Sequence, residues 1–411
     1  MPLEPSRTVT ELRELRELTG DGDGAQRVCW TDTWATARAW MRTKLDALPV
    51  EVHVDEAGNQ WATLPSEPER SVLIGGHIDS VPNGGWLDGC LNILAGLEVL
   101  RRLAEEGTPR TSVRLVDWAD EEGARFGRSL FGSSSASGTL DPDELRGLRD
   151  RDGISLPDAL SRHGVDLDRV ERCRSELESA AAYLELHIEQ GPVLERLGLP
   201  LGVVLGTVGV ERHLVRFLGQ SAHAGSTPMA DRRDAFAAAA RLALEAREIA
   251  KRGGGVGTVG SVVARPGIVT AVPGVCEMTL DQRQLDGDRL ARMLSKAKDA
   301  SQRIAREERV DVEWERLWHI HPILFDPHLI ELCAEAITEI AGTCERLPSG
   351  PLHDAAEVAR AGVPTVMLFV QSLRGLSHTK EEDTKDEHLE LCVRALDRLA
   401  SKTIDWVSAR T

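Results

Sequence analysis

The chain of 411 residues contains no apolar run of about 18 residues, which excludes a conventional membrane-spanning helix. It also contains no basic tract, and its formal net charge is −17. Nucleic acid and anionic membrane are thereby excluded as partners, since neither is held without a concentrated basic surface. Cysteine is sparse and scattered, at positions 29, 90, 173, 276, 333, 344 and 392, with no CxxC pair. An odd, dispersed set argues against a disulfide framework or a thiolate zinc site and fits a reducing cytosol. The opening MPLEPSRTVTELRELREL carries acidic residues and no apolar core, so neither a signal peptide nor a transit peptide is expected and the location expected is cytoplasmic.

Hydrophobic residues make up 41% of the chain, and adding its 37 glycines brings the apolar share to about half, as in folded globular proteins. The length predicts two domains, or one domain with a large insertion. Amphipathic helices are expected over 8–18 and 31–48, a hairpin over 50–64, and a short buried strand over 71–74. Gly75-Gly76 reads as the turn that ends this strand, and His77 and Asp79 follow with a spacing that aims both side chains to one side. Asp88 stands at the start of a helix marked by Leu91, Leu94, Leu97, Leu100 and Leu103. Alone it reads as an ordinary N-cap.

Strand-like runs at 112–119, 183–186 and 363–370 lead into Asp120-Glu121-Glu122, into His187, and into Ser377-His378. The stretch 139–180 is charged and helical in pattern, with DPDELRGLRDRDG at 141–153 reading as a surface insertion, and no chemistry is assigned to it. Between 210 and 327 the order βαββαβ predicts a ferredoxin-like unit inserted into a catalytic domain made of 1–209 and 328–411. The fold class expected is therefore α/β, a mainly parallel sheet flanked by helices plus an inserted α+β domain.

His77, Asp88, Glu122, His187 and His378 thus fall at the ends of four predicted strands, where a parallel sheet gathers its ligand-binding residues. Three imidazoles and two carboxylates without a thiolate suit Zn, Mn, Co or Ni. They are too many for one open catalytic ion, and two ions sharing Asp88 would each keep a position for a bridging water. Glu121, beside a ligand, then reads as general base.

The motifs GGHIDSVPNGGWLDG, DEEGARFGRSLFGS, LELHIEQGPVLE, SAHAGSTPMADRRDA, LDQR, HDA and GLSH extend over nearly the whole chain. In them the sequence resembles the dinuclear-metal amidohydrolases that include N-carbamoyl-L-amino acid hydrolases, allantoate amidohydrolases and β-ureidopropionase, within the wider M20 metallopeptidase superfamily. The resemblance implies His77, Asp88 and His187 on one ion, Asp88, Glu122 and His378 on the other, Asp79 behind His77, and Glu121 as base. It implies a lid and dimerisation role for the inserted domain in a homodimer, with His223 reaching a neighbouring subunit's site to stabilise an oxyanion. Gln190 and Arg283 correspond to substrate-contacting positions, and an arginine there suits a small substrate with a carboxylate; Arg283 considered alone also reads as a surface salt bridge.

Departures from the family pattern fall at Thr270, where asparagine is usual, at Leu352, where glycine is usual, and at Trp86, Leu87, Cys90 and Asn92. The reaction expected is hydrolysis of the ureido C–N bond of an N-carbamoyl-L-amino acid. Allantoate or an N-acyl amino acid is the alternative substrate, and a non-catalytic small-acid-binding relative is the alternative of another class. His319 and His321, spaced like ligands but with no acidic neighbour in sequence, read as structural or hinge residues. His353 reads as site wall, and Glu382 as a support for His378.

Overall fold

The structure, a computed structural model, describes residues 2–67 and 70–410. The chain divides into two compact units, Met1–Leu205 with Phe325–Thr411, and Gly206–Leu324.

In the first unit four strands run parallel at the centre of the sheet, in the spatial order Thr365–Val370, Ala180–Ile188, Ser71–Gly76, Ser112–Asp117. Their sequences TVMLFV, AAAYLELHI and SVLIGG are mostly apolar and SVRLVD is so at Val113, Leu115 and Val116, as suits a sheet covered on both faces. Antiparallel strands flank them, Gln60–Leu64 and Glu51–Val54 on one side and Leu201–Thr207 on the other. The helix Cys90–Glu106 buries Leu91, Leu94, Leu97, Leu100 and Leu103. Each such leucine contributes about 1.5–3 kcal/mol relative to an exposed one. Because the four strands are parallel, the residues that follow them share one edge of the sheet.

One expectation is corrected. Gly75 and Gly76 do not turn the chain; they are the last residues of the strand, paired with Val116 and Asp117. Glycine is required at 75 by packing, since a Cβ there would stand 2.5 Å from the ring of Tyr183. The run 141–153 is mostly exposed, as a surface insertion should be, with Leu145 alone buried, whereas the rest of 139–180 contributes to the interior. Leu145, Leu156, Leu160, Val170 and Cys173 lie in the main core, because its short helices fold their apolar sides inward.

The second unit has the element order βαββαβ. Its sheet runs in the spatial order Val256–Arg265, Val275–Gln284, Gly209–Leu218, Asp311–Ile320, all antiparallel. The helices Ala235–Gly253 and Gly287–Glu308 bury one apolar side each against Val215, Phe217, Met278 and Leu280. The topology is that of a ferredoxin-like fold. Its last strand runs on to Ile320, six residues beyond the end that the sequence suggested at Trp314, across an irregularity between Arg316 and Trp318.

Candidate metal centre and active site

The loop after Ser71–Gly76 carries His77 and Asp79 and is braced from below. Ile78 N–H donates to Asp117 Oδ1 at 2.8 Å, the buried Arg27 guanidinium donates to Ile78 O at 2.8 Å, and Ser80 N–H donates to Arg27 O at 3.1 Å. Asp79 accepts the backbone N–H groups of Glu121 and Glu122, both at 3.3 Å, which fixes one strand end against the next. His77 Nδ1 lies 3.1 Å from Asp79 O and 3.4 Å from its Oδ1. His187 Nδ1 lies 2.9 Å from Ile188 O. A carbonyl beside Nδ1 places the ring proton there and turns the lone pair of Nε2 outward.

Those two Nε2 atoms face Asp88, at 3.9 Å from His77 and 3.1 Å from His187, in both cases to Oδ1. Asp88 Oδ2 lies 3.4 Å from His378 Nε2, which is itself 3.3 Å from Glu122 Oε2. Two triads result, His77–Asp88–His187 and Asp88–Glu122–His378, each with its donor atoms within 4.8 Å of one another. His77 and His187 are buried, and neither Nε2 has a hydrogen-bond partner among the described residues. Buried nitrogens that face carboxylates at 3.1–3.9 Å without a well-directed hydrogen bond leave room for a further group between them. The donor set of imidazole and carboxylate fits a divalent ion.

The charges in the cluster hold one another. Burial opposes a charged His77, but Glu121, Asp79 and Asp88 outweigh it and keep its pKa well above the ordinary value. Burial raises Glu122 to about 7, aided by Asp88. Contact with Asp88 lifts His378 to about 9. Glu121, with Oε2 3.7 Å from His77 Nε2, is held well above the ordinary carboxylate range by burial.

Asp88 is not the helix cap. Gly89 takes the N-cap position, at φ +66°, and the Asp88 side chain points to the cluster instead. A Cβ on Gly89 would stand only 2.3–2.4 Å from ring atoms of His77. Gly89→Ala is therefore expected to cost about 1–3 kcal/mol in strain and to displace His77. A denaturant melt together with bound-metal analysis would check both effects.

The structure also places residues whose roles sequence left open or missed. The Gln190 amide donates to Asp88 Oδ2 at 2.9 Å and to Ser377 Oγ at 3.0 Å. The Ser377 hydroxyl, adjacent to His378 in sequence but overlooked there, lies 3.0 Å from Asp88 Oδ2 and 3.1 Å from Glu382 Oε2. Glu382 accepts the backbone N–H groups of Leu87 and Asp88 at 3.1 and 3.0 Å. It thus supports the Asp88 loop, and its bonds are not to the His378 ring as expected. His353 packs on His187 with ring centroids 4.2 Å apart, and Leu352 beside it is half-buried. Asp120, Gln190 and His378, three of eight non-glycine residues with positive φ among the described residues, have φ between +54° and +57°.

In the second unit His223 and Thr270 are neighbours. His223 pairs with Ala271 across a short bridge, and the Thr270 carbonyl accepts the N–H of Ala224 at 2.8 Å. His223 Nδ1 accepts the N–H of Gly225 at 3.1 Å, which leaves the ring proton on Nε2. Arg283 bonds Asp281 Oδ1 at 2.8 Å, and Arg212 shares the same carboxylate. His319 has an acidic partner after all, because Glu211 faces it across the strand pair.

The profile of peptidase family M20/M25/M40 matches residues 73–402. The chain belongs to this family. Similar M20 relatives include the N-carbamoyl-L-amino acid amidohydrolase of Geobacillus stearothermophilus, 36% identical over 94% of this chain and 95% of that one. Another is the allantoate amidohydrolase of Bacillus subtilis, 31% identical over 97% and 98%. Among solved structures, a hydantoinase/carbamoylase family amidase from Burkholderia multivorans superposes with a TM-score of 0.87 at 31% identity, covering 98% of each chain. Membership of the M20 family and the His/Asp cluster both support binding of divalent metal. Three departures from the family pattern sit in packing positions. Trp86 Nε1 bonds Asp383 and its ring lies under Arg13, Cys90 Sγ donates to Trp86 O, and Asn92 Oδ1 accepts the Leu186 N–H.

Proposed function

We propose that this chain is a metal-dependent amidohydrolase that cleaves the ureido C–N bond of an N-carbamoyl-L-amino acid, releasing the amino acid, carbon dioxide and ammonia. The observation that carries this reading is the pair of buried Nε2 atoms of His77 and His187 that converge on Asp88 without well-directed hydrogen bonds, with Glu121 beside them. His77, Asp88 and His187 would hold one ion, and Asp88, Glu122 and His378 a second. The division of Asp88, Oδ1 toward His187 and Oδ2 toward His378, supports a shared carboxylate. Zn, Mn, Co or Ni suits these donors. Such ions, when bound, supply Lewis acidity to the substrate carbonyl and lower the pKa of water toward neutrality.

The chain's own residues then have separate tasks. Glu121 takes a proton from the attacking water and delivers it to the leaving nitrogen as the C–N bond breaks. The carbamate so formed decomposes to carbon dioxide and ammonia. Asp79 fixes the His77 ring. His223, with its proton on Nε2, is assigned as hydrogen-bond donor to the developing oxyanion in a homodimer. Arg283 is assigned to the substrate carboxylate, with Gln190, Thr270 and Leu352 as further specificity positions; Gln190 in addition secures Asp88.

The test is ammonia release by protein loaded with Mn, Co or Zn, on a panel of N-carbamoyl-L-amino acids, N-carbamoyl-β-alanine and allantoate, with amine release from N-acyl amino acids followed in parallel. Metal-dependent ammonia from the N-carbamoyl-L-amino acids is expected. Ammonia from allantoate alone moves the assignment to that substrate, and amine from acyl substrates alone overturns the ureido reading.

Metal loading should also release protons. Without metal, His378 titrates at about 9 and Glu122 at about 7, so at neutral pH the imidazole is charged and part of the carboxyl is protonated. Ligation needs both deprotonated. His77 and His187, both raised, must lose protons as well, so affinity should rise with pH through about 9, and calorimetry in buffers of different protonation enthalpy should report more than one proton per chain near pH 7. Loading without proton release would show that His378 is not a ligand.

A further inference from the structure

In the second unit the register of Asp311–Ile320 on Gly209–Leu218 sets His319 directly opposite Glu211. Side chains so paired lie on one face of the sheet and within reach of each other. His319 Nδ1 stands 3.0 Å from Glu211 Oε1, although the two do not make a linear hydrogen bond. The other nitrogen of the ring, Nε2, stands 3.3 Å from Nε2 of His321, with the ring centroids 4.4 Å apart and the planes at 85°.

Two imidazole nitrogens on one tetrahedral zinc ion, each about 2.0–2.1 Å from the metal, are separated by about 3.3–3.4 Å. The His319–His321 spacing equals that edge. A carboxylate behind Nδ1 is the arrangement that orients a metal-bound histidine and strengthens it as a ligand. Glu211 is itself held in place. It is buried, and Oε2 lies 3.5 Å from Arg316 Nε and 3.6 Å from His213 Nε2. The histidines remain accessible from solvent, with His321 exposed and His319 half-buried. Two rings sharing a single proton would also bring the Nε2 atoms to this distance, and in that case the metal counts below would not differ.

We propose that His319 and His321 form a two-histidine site for a divalent ion of the Ni, Cu or Zn kind, with Glu211 as its orienting carboxylate and water in the remaining positions. These residues are distinct from those of the Asp88 cluster. An ion there would tie the end of the last strand of the sheet to the segment that follows it.

The full-length protein, stripped of metal, would be titrated with Cu(II) and with Zn(II), wild type beside His319→Gln/His321→Gln, with bound metal counted after gel filtration. The wild type is expected to hold one more ion per chain than the double variant, and the Cu(II) spectrum assigned to that extra ion should show splitting from two nitrogens. His321→Gln alone alters an exposed side chain and should give the same loss without disturbing the fold. Glu211→Gln keeps both ligands and should weaken the extra site by about tenfold or more. Turnover should be unchanged in the histidine variants, which separates this site from the catalytic assignment. Equal metal counts in wild type and His321→Gln, or an extra ion without nitrogen splitting, would overturn the proposal whether or not the ureido assignment holds.

Discussion

Glu121→Gln is expected to lower kcat by roughly 10²–10⁴ while leaving KM and the bound metal nearly unchanged. The backbone of Glu121 is anchored independently of its side chain, by the N–H bond to Asp79 Oδ1 at 3.3 Å. Glutamine is isosteric with glutamate, so the loop should keep its shape. What disappears is the capacity to accept a proton. Burial raises the Glu121 carboxyl well above its ordinary pKa; His77 works against that shift, while Asp354, Glu122 and Asp79 add to it. A carboxylate so raised is a stronger proton acceptor than one in water, and it can also release the proton to a departing amine. Steady-state kinetics on the best substrate of the panel, with metal analysis of the same samples, checks this. An unchanged kcat at full metal content would remove Glu121 from the reaction.

The contrast with Asp79 is instructive. Its carboxylate faces the same histidine, yet its oxygens are occupied by two backbone N–H groups and the His77 ring. Three of its roughly four acceptor positions are thus engaged within the protein. This difference in hydrogen bonding supports the assignment proposed above, with Asp79 holding geometry and Glu121 moving the proton.

The ligand candidates were legible in the sequence because each stands next to a strand end, and parallel strands bring such ends to one edge whatever the loop lengths between them. His77, Glu122, His187 and His378 could be named on that basis. What the sequence concealed depends on register and on loop conformation. Nothing local indicates that the Gln190 amide bonds Asp88, or that Glu382 holds the backbone of Leu87 and Asp88 nearly three hundred positions away. Glu211 and His319 are separated by the whole of the second unit and meet only because a strand extends past the Trp314 end read from sequence. The same holds for Gly75, whose reason is a tyrosine ring on the next strand and not a turn. Local chemistry was readable, whereas the partners that constrain it were not.

Asp88→Ala should empty the cluster. In the metal-free chain Asp88 is the counter-charge shared by three histidines, and it also accepts from Gln190 and lies against the Ser377 hydroxyl. Contact with Asp88 is the first influence that raises His378 and, against the opposing effect of burial, His187. Removing the carboxylate leaves His77 and His187 as a bare pair and Glu122 with His378 as another, so neither triad keeps three donors. Bound metal should fall close to zero and turnover should be lost. By comparison, Glu122→Gln removes a donor from one triad only and should leave the other occupied. Breaking the buried charge contacts is expected to cost the apo fold about 3–5 kcal/mol, because the partner charges stay behind. Thermal melts with and without a chelator separate the two consequences. The wild type should lose stability on chelation, since an ion bound only by the native state stabilises it in proportion to the logarithm of its concentration over its dissociation constant. Asp88→Ala should melt lower and show no further change with chelator. If Asp88→Ala instead retains two ions per chain, the shared carboxylate is wrong and the two triads must be redrawn around Glu121 or Asp79.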